Sequence, residues 1–120
     1  MDNFSFFTKV AGVTFENRQS YVRMCYQGQK LELVRDKYNA YDRNAIAVYA
    51  GNNQVGFISK ELAADLAPRI DNGTVYECYV ESVTGGGDKV YGLNIKLIKK
   101  DSENKEQKKG SLFAGIIPGR

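Results

Sequence analysis

The sequence predicts a mainly β protein, a small six-stranded β-barrel with one or two short helices. Short runs of β-branched and aromatic residues alternate with turns that contain Gly and Asn. Only one stretch has clear helical periodicity. A closed or nearly closed barrel buries one face of such short strands and leaves few free edges.

Six segments have the composition or the alternation of strands. In the last segment Leu93, Ile95 and Leu97 fall on one face, and Asn94 and Lys96 fall on the other. The six predicted strands cover residues 4–15 (with a bend at Gly12), 30–34, 45–49, 54–59, 74–83 and 90–98. We expect a hairpin turn at residues 50–53, because Gly and Asn tolerate positive φ, and a flexible turn at residues 84–88.

The clear helix is predicted from Lys60 to about Ile70. Ser59 is its expected N-cap, and residues 71–73 (Asp-Asn-Gly) form its expected stop. The apolar positions at helical spacing are Leu62, Ala63, Leu66, Ala67 and Ile70. Pro68 interrupts this pattern, so it is expected to shorten or kink the helix. Residues 21–25 fit either a short helical turn or a packed loop.

The chain of 120 residues has the length of one domain. The barrel is assigned to residues 1–98, where eleven basic and eleven acidic residues balance. Residues 99–120 carry the net charge of +3 and are predicted to be a flexible charged linker followed by a short apolar tail. Met1 and this tail favour a nearly complete chain.

Composition narrows the class of function. There is no basic region followed by an apolar run at the N-terminus, and no apolar stretch is long enough for a membrane span. Cys25 and Cys78 fit no metal or redox spacing, so we expect reduced core residues in a cytoplasmic protein. The chain contains no histidine, which removes the commonest general base and most zinc sites. These observations favour a binding module without cofactor or metal over an enzyme.

Residues 35–49 form the stretch with the densest polar chemistry. Its first half is charged and aromatic, with Asn and Asp at turn-forming positions, and its second half is apolar and β-prone. A loop that leads directly into a buried strand holds its side chains on a fixed base, and binding residues often lie there. The alternative is a solvated turn whose Asn and Asp side chains bond to their own backbone.

Four blocks of sequence resemble one family. The most specific runs from Asn39 through Ala40-Tyr41-Asp42-Arg43-Asn44-Ala45 to Ile46 and is followed by Val55-Gly56-Phe57-Ile58-Ser59-Lys60-Glu61-Leu62-Ala63. The other two are Phe7-Thr8-Lys9-Val10-Ala11-Gly12-Val13-Thr14-Phe15 and Leu31-Glu32-Leu33-Val34-Arg35-Asp36. In this order they resemble the HIRAN domain, which occurs in DNA-repair helicase-like translocases and as a stand-alone bacterial or phage protein. The resemblance covers roughly residues 4–98 and implies an OB-like or SH3-like barrel.

The resemblance also implies a function. In the translocase branch the domain captures the 3′ end of single-stranded DNA with a free 3′-hydroxyl. By position, Phe15 and Tyr41 match residues that stack the terminal base, and Asp42 matches the acceptor for the hydroxyl. The remaining matches are Asn39 for a polar contact to the terminal nucleotide, Lys60 with help from Arg43 for a phosphate, and Tyr91 for a further aromatic contact.

Each of these residues has a structural alternative. Tyr41 would pack over the barrel mouth, Asp42 would form an Asx turn, Phe15 would belong to the core, and Lys60 would only begin a helix. A second hypothesis for the whole chain is a protein-interaction barrel with no role in nucleic-acid binding. Its partner, or a second copy, would associate through the apolar residues 111–117.

Overall fold

Six antiparallel strands and two helices make up most of residues 4–100, which are the residues that the computed structural model describes. In chain order the elements are β1 (Ser5–Lys9), α1 (Gln19–Val22), β2 (Lys30–Arg35), β3 (Ile46–Ala50), β4 (Asn53–Phe57), α2 (Lys60–Asp71), β5 (Tyr76–Gly86) and β6 (Lys89–Lys99). The predicted mainly β class with six strands is confirmed.

The strands form one strongly curled sheet in the order β1-β6-β5-β2-β3-β4. Its two edges meet where Ala11, just beyond β1, pairs with Phe57 of β4. Each of these two residues donates its backbone N–H to the carbonyl of the other at 2.8 Å. A Cβ added at Gly56 would lie 2.4 Å from the Ala11 carbonyl oxygen, so this close approach requires glycine. The sheet is therefore a half-barrel that is closed at one end.

The core lies inside the curl of the sheet and under α2. Leu93, Ile95 and Leu97 alternate along β6 and are fully buried, which confirms the predicted alternation. Helix α2 contributes its apolar face; its buried residues are Ala63, Leu66 and Ala67. Burying a Leu or Ile side chain contributes about 1.5–3 kcal/mol, so this shared core fixes the positions of the loops above it.

The first strand is much shorter than predicted. It ends at Lys9, and the chain from Gly12 onward makes successive turns instead of a bent strand. Gly12, Glu16 and Asn17 all have φ between +54° and +72°, which a strand does not allow. Strand propensity alone gave no sign of these turns. Helix α1 follows directly, so the helical alternative for the neighbouring residues 21–25 is correct only for its first two residues.

Helix α2 begins and ends as predicted but continues through its proline. The Ser59 hydroxyl accepts the backbone N–H of Leu62 at 3.3 Å. At the other end Gly73 donates to the Ile70 carbonyl and Thr74 to the Arg69 carbonyl, both at 2.9 Å, which is a Schellman pattern. The expected shortening at Pro68 is wrong. Pro68 lies on the exposed face, where water can bond to the carbonyl that lacks its N–H partner.

The last hairpin also differs from its prediction. Residues 84–86 belong to β5, and Gly86 pairs with Lys89, so the turn consists of Gly87 and Asp88. Irregularities in the β5–β6 register between Val80 and Ser82 and between Thr84 and Gly86 accommodate the extra residues. The predicted hairpin between β3 and β4 is confirmed, with Gly51 and Asn52 between the paired Ala50 and Asn53.

Both cysteines are buried free thiols, as expected. Burial raises the pKa of Cys78 to about 12. Within residues 4–100, no helix has the length and apolar character needed to cross a membrane. Lys99 still belongs to β6, whereas the linker was predicted to begin there. Lys100 donates its backbone N–H to the Val75 carbonyl at 2.9 Å. Residues 101–120, with the rest of the predicted linker and the apolar tail at residues 111–117, lie outside the described residues, so their roles stay predictions.

Candidate functional site

The polar loop between β2 and β3 stands on a hydrogen-bonded base. Asp36 donates its backbone N–H to the Ala45 carbonyl at 2.9 Å, and Arg35 Nη1 donates to the same carbonyl at 2.8 Å. The Arg35 guanidinium also makes a two-bond salt bridge with Asp71, at 2.9 and 3.0 Å, at the end of α2. The loop is therefore attached to both the sheet and the helix.

This salt bridge shifts the titration of both partners. Its hydrogen bonds hold the pKa of Asp71 below its ordinary value and raise the pKa of Arg35, because each bond favours the charged forms. Both side chains therefore stay charged across the neutral range, and the base of the loop keeps its geometry there.

Asn39 organises the top of the loop. Its Oδ1 accepts the backbone N–H groups of Tyr41 at 2.9 Å and of Asp42 at 3.0 Å. Its Nδ2 donates to Asp36 Oδ2 at 3.0 Å. Three of the four hydrogen bonds that an Asn amide readily makes are thus used within the loop. The predicted contact of Asn39 with a nucleotide stays a prediction, and the structure adds a positioning role.

Asp42 takes part in the loop and also faces the space beside it. Its Oδ1 accepts the backbone N–H of Asn44 at 2.9 Å, so the Asx-turn interpretation holds for that oxygen. No donor among residues 4–100 bonds to its Oδ2. An ionised carboxylate oxygen is an acceptor only, so Asp42 can form the turn and accept a bond from a ligand hydroxyl at the same time.

A second loop, between β1 and α1, faces the first. Gly12 begins it, and Phe15 stands out from it with 65% of its surface exposed. This exposure excludes the core position that was the alternative for Phe15. Non-glycine residues in the left-handed region, here Glu16 and Asn17, cost energy and tend to gather at functional sites.

The two loops, β4 and the start of α2 enclose an open cleft of about 630 Å³. Its lining combines aromatic, acidic and basic side chains. The lining residues are Ala11, Gly12, Phe15, Glu16, Arg18, Asn39, Tyr41, Asp42, Ala45, Phe57, Ile58 and Lys60. Tyr41 is 93% exposed, so it does not pack over the barrel mouth. Lys60 is the first residue of α2 and also lines the cleft.

Five of the seven predicted site residues thus meet in one cleft, and two lie outside it. Arg43 is exposed on the polar loop without lining the cleft. Tyr91 is half-buried against the core, and its ring lies near Gly86 of the last hairpin. The structure does not bring these two residues to the cleft wall, and their proposed contacts stay predictions.

Seven of the twelve lining residues were not predicted as site residues, and two of them, Arg18 and Phe57, form a close pair. Arg18 is buried at 7% exposure although it is charged, and Phe57 lies under it with 5.2 Å between the guanidinium carbon and the ring centroid. The sequence analysis assigned no role to Arg18 and placed Phe57 within the predicted strand of residues 54–59. No periodicity marks either residue, because their proximity depends on the pairing that closes the barrel.

Gln19 connects the cleft loop to the sheet. Its Nε2 donates to the carbonyl of Val13 at 3.0 Å and of Tyr91 at 2.9 Å, and its Oε1 accepts the Tyr91 N–H at 2.7 Å. The side chain thus pairs with β6 much as another strand would. These bonds attach the segment that carries Arg18 to β6.

Comparison with known proteins places this architecture in a family. The family model described as the HIRAN domain matches residues 3–97, which is most of the chain. The chain belongs to the HIRAN family. The predicted resemblance is therefore confirmed for the family.

Solved structures agree with the assignment to the HIRAN family. The crystal structure of the HIRAN domain of human HLTF is similar with a TM-score of 0.62 and 29% sequence identity, over 92% of each chain. The NMR structure of the HLTF HIRAN domain has a TM-score of 0.57 and 28% identity, over 92% of this chain and 95% of that one. A Lactobacillus plantarum protein shares the fold at 19% identity, with a TM-score of 0.62 over 82% of this chain and 100% of that one.

One sequence relative extends beyond the HIRAN domain. The rabbit (Oryctolagus cuniculus) helicase-like transcription factor is 45% identical over 53 residues, which are 43% of this chain and 5% of that protein. The chain therefore spans a small part of that relative's length.

Proposed function

We propose that this HIRAN domain is a non-enzymatic module that binds the 3′ end of single-stranded DNA with a free 3′-hydroxyl. The observation that carries the proposal is the meeting of Phe15, Tyr41 and Asp42 in one open cleft. Two exposed aromatic rings and a carboxylate with one oxygen available suit a terminal nucleotide. The proposal includes a role in DNA repair.

The aromatic residues supply affinity without sequence readout. Stacking of a base on an aromatic side chain contributes about 1–3 kcal/mol and tolerates any base. Phe15 and Tyr41 project into solvent from opposite loops. Exposed rings bury apolar surface when a base covers them, so their present exposure favours a stacking role.

The carboxylate supplies selectivity for the end of the strand. Asp42 Oδ2 is available as an acceptor for the terminal hydroxyl, while its negative charge repels a phosphate at the same position. Lys60 at the cleft edge offers an ammonium for an internal phosphate. Such a contact needs no broadly basic surface, in keeping with the balanced charge of residues 1–98.

The polar groups of the cleft favour binding over catalysis. Its ionisable side chains are Glu16, Arg18, Tyr41, Asp42 and Lys60, and the chain contains no histidine. Among residues 4–100, no three Cys, Asp or Glu side chains gather as a metal site requires. We therefore assign the cleft a recognition role.

Replacing Asp42 tests the proposal. Asp42→Asn keeps an oxygen for the Asn44 N–H but removes the charge. We expect the variant to bind a 3′-hydroxyl end more weakly and to discriminate less against a 3′-phosphate, as measured by fluorescence anisotropy with a short single strand. Asp88→Asn in the last hairpin is the matched control. An unchanged preference in Asp42→Asn would remove Asp42 from the proposed site.

A further inference from the structure

Arg18 is a buried charge at the floor of the cleft. Its exposure is 7%, and it is the one charged residue in the range 4–100 that is this deeply buried. Burial of a guanidinium costs free energy unless hydrogen bonds satisfy its N–H groups. The N–H groups of Arg18 therefore need hydrogen-bond acceptors within the cleft.

Residues 4–100 accept hydrogen bonds from only some of the N–H groups of the Arg18 guanidinium. Nη1 donates to the Gly12 carbonyl oxygen at 2.8 Å, and Nη2 reaches Glu16 Oε1 at 3.4 Å. The second contact is weak, because the Glu16 side chain is 78% exposed and water competes for it. An arginine has five N–H donors, and residues 4–100 provide no further acceptor for this one.

The Arg18 guanidinium lies near aromatic side chains and lines the open cleft. The Phe57 ring supports one face at 5.2 Å. A Cβ added at Gly12 would lie 3.2 Å from Arg18 Nη1, 3.8 Å from the Phe57 ring and 3.9 Å from the Phe15 ring. Since Gly12 lies within contact range of all three groups, a base stacked on Phe15 would have its edge near the guanidinium.

The chemistry of a buried fork favours a base edge over a phosphate. Arginine can bind either group, but Arg18 is 7% exposed and lies near Phe15 around Gly12, where the edge of a stacked base would be. The exposed Lys60 lines the same cleft and is the more accessible cation for a phosphate. Arginine bonds in bidentate fashion to the O6 and N7 acceptors of guanine. Adenine offers N7 but places an amino donor beside it, so it would leave one N–H group without a partner.

We propose that Arg18 is a specificity-determining residue, which donates two hydrogen bonds to O6 and N7 of a 3′-terminal guanine. This inference rests on the proposed function, because it needs a DNA end in the cleft. It adds a base preference to a site whose aromatic stacking is indifferent to sequence.

The test on the unaltered protein uses a set of single strands that differ only in the 3′-terminal nucleotide. We expect the dG end to bind about ten-fold more tightly than the dA end, which corresponds to one bidentate pair. A terminal 7-deazaguanine, which lacks N7, should lose most of this advantage. A terminal hypoxanthine keeps O6 and N7 and should retain it.

Substitution of Arg18 tests whether its side chain causes the preference for a terminal dG. Arg18→Gln should reduce the difference between dG and dA ends to less than about two-fold, while the discrimination between 3′-hydroxyl and 3′-phosphate persists. Arg23→Gln, at an exposed position just after α1, is the matched control and should keep the full preference. Thermal unfolding of both variants reports whether they fold, and the comparison on the unaltered protein needs no variant.

Three results would overturn the inference. Equal binding of all four ends with a retained need for the 3′-hydroxyl would refute the base contact and leave the proposed function standing. Uniform weakening of all ends in Arg18→Gln, with a smaller salt dependence, would make Arg18 a phosphate contact instead. Absence of binding to any end would refute both the base contact and the proposed function.

Discussion

The Asn39 Oδ1 atom accepts the backbone N–H of Tyr41 at 2.9 Å. This bond fixes the backbone from which the most exposed aromatic residue of the cleft projects. The Tyr41 ring itself is free of the core, so the loop fixes the position of its backbone and leaves the ring exposed. Because the loop backbone is already ordered, ligand binding has to order only the side chain and not the loop.

Tyr41 has a matched control in the same loop. Tyr38 is 95% exposed and Tyr41 is 93% exposed, but only Tyr41 lines the cleft. Loss of one stacked base contact is worth about 1–3 kcal/mol, so Tyr41→Ala should weaken binding of a single-stranded DNA end by about 5- to 150-fold. Tyr38→Ala should bind as the unaltered protein does in the same anisotropy titration. An equal loss of DNA affinity in both variants would contradict a specific stacking role for Tyr41.

Gly12 keeps the cleft open. Gly12 and Gly51 both have positive φ, at +72° and +63°, so an alanine at either position is strained by about 1 kcal/mol. Only at Gly12 would the added Cβ meet neighbours, at 3.2 Å from Arg18 Nη1. Gly12→Ala should therefore weaken DNA binding and lower the unfolding midpoint more than Gly51→Ala.

Chemical denaturation and anisotropy on the two glycine variants separate the effects. Equal stability losses with unchanged DNA binding in Gly12→Ala would show that the space beside Arg18 is not used.

The sequence predicts the strands, the long helix and five of the twelve residues that line the cleft. Alternation in β6 and capping at Ser59 are local signals, so the residues alone predict them. The site roles of Asn39, Tyr41 and Asp42 instead follow from the resemblance to the HIRAN domain. The parts that were missed depend on long-range pairing. Arg18 reaches the cleft only because Ala11 pairs with Phe57, and neither composition nor periodicity reports that pairing.

The turns between Gly12 and Arg18 were also not predicted from the sequence. The residues between Gly12 and Arg18 have strand-like composition at first, but Glu16 and Asn17 adopt positive φ. The surrounding contacts, such as the bonds of Gln19 to Val13 and Tyr91, select this conformation over local preference.

The Arg35–Asp71 pair should make stability depend on pH in the acidic range. The pKa of Asp71 is lowered in the folded protein, so the pair stabilises the fold above the unfolded pKa of Asp, about 3.9. This contribution is lost as the pH falls through the lower folded pKa. Asp71→Asn should therefore lower the denaturation midpoint at pH 7 and have little effect at pH 2.

Asp65→Asn on the same helix is the comparison for that measurement. Asp65 makes an exposed ion pair with Arg69 at 3.4 Å, and such pairs contribute little. If both variants had the same denaturation midpoint at pH 7, the Arg35–Asp71 salt bridge would contribute no more to stability than an exposed ion pair.

The cleft should function without residues 101–120. All of its lining residues lie between Ala11 and Lys60, so a chain truncated after Lys100 should bind DNA ends within about two-fold of the full chain. Sedimentation of both chains tests the alternative hypothesis of assembly through residues 111–117. Loss of a self-associated state together with loss of DNA binding would favour the protein-interaction hypothesis.

The central claim is recognition of a free 3′-hydroxyl by the cleft. The most direct measurement is fluorescence anisotropy of the unaltered chain with one short single strand that ends in a 3′-hydroxyl, a 3′-phosphate or a 3′-deoxy sugar. We expect the tightest binding for the hydroxyl, weaker binding for the deoxy end and the weakest for the phosphate, because Asp42 accepts a hydrogen bond from the first and repels the last. Equal binding of the three ends would contradict it.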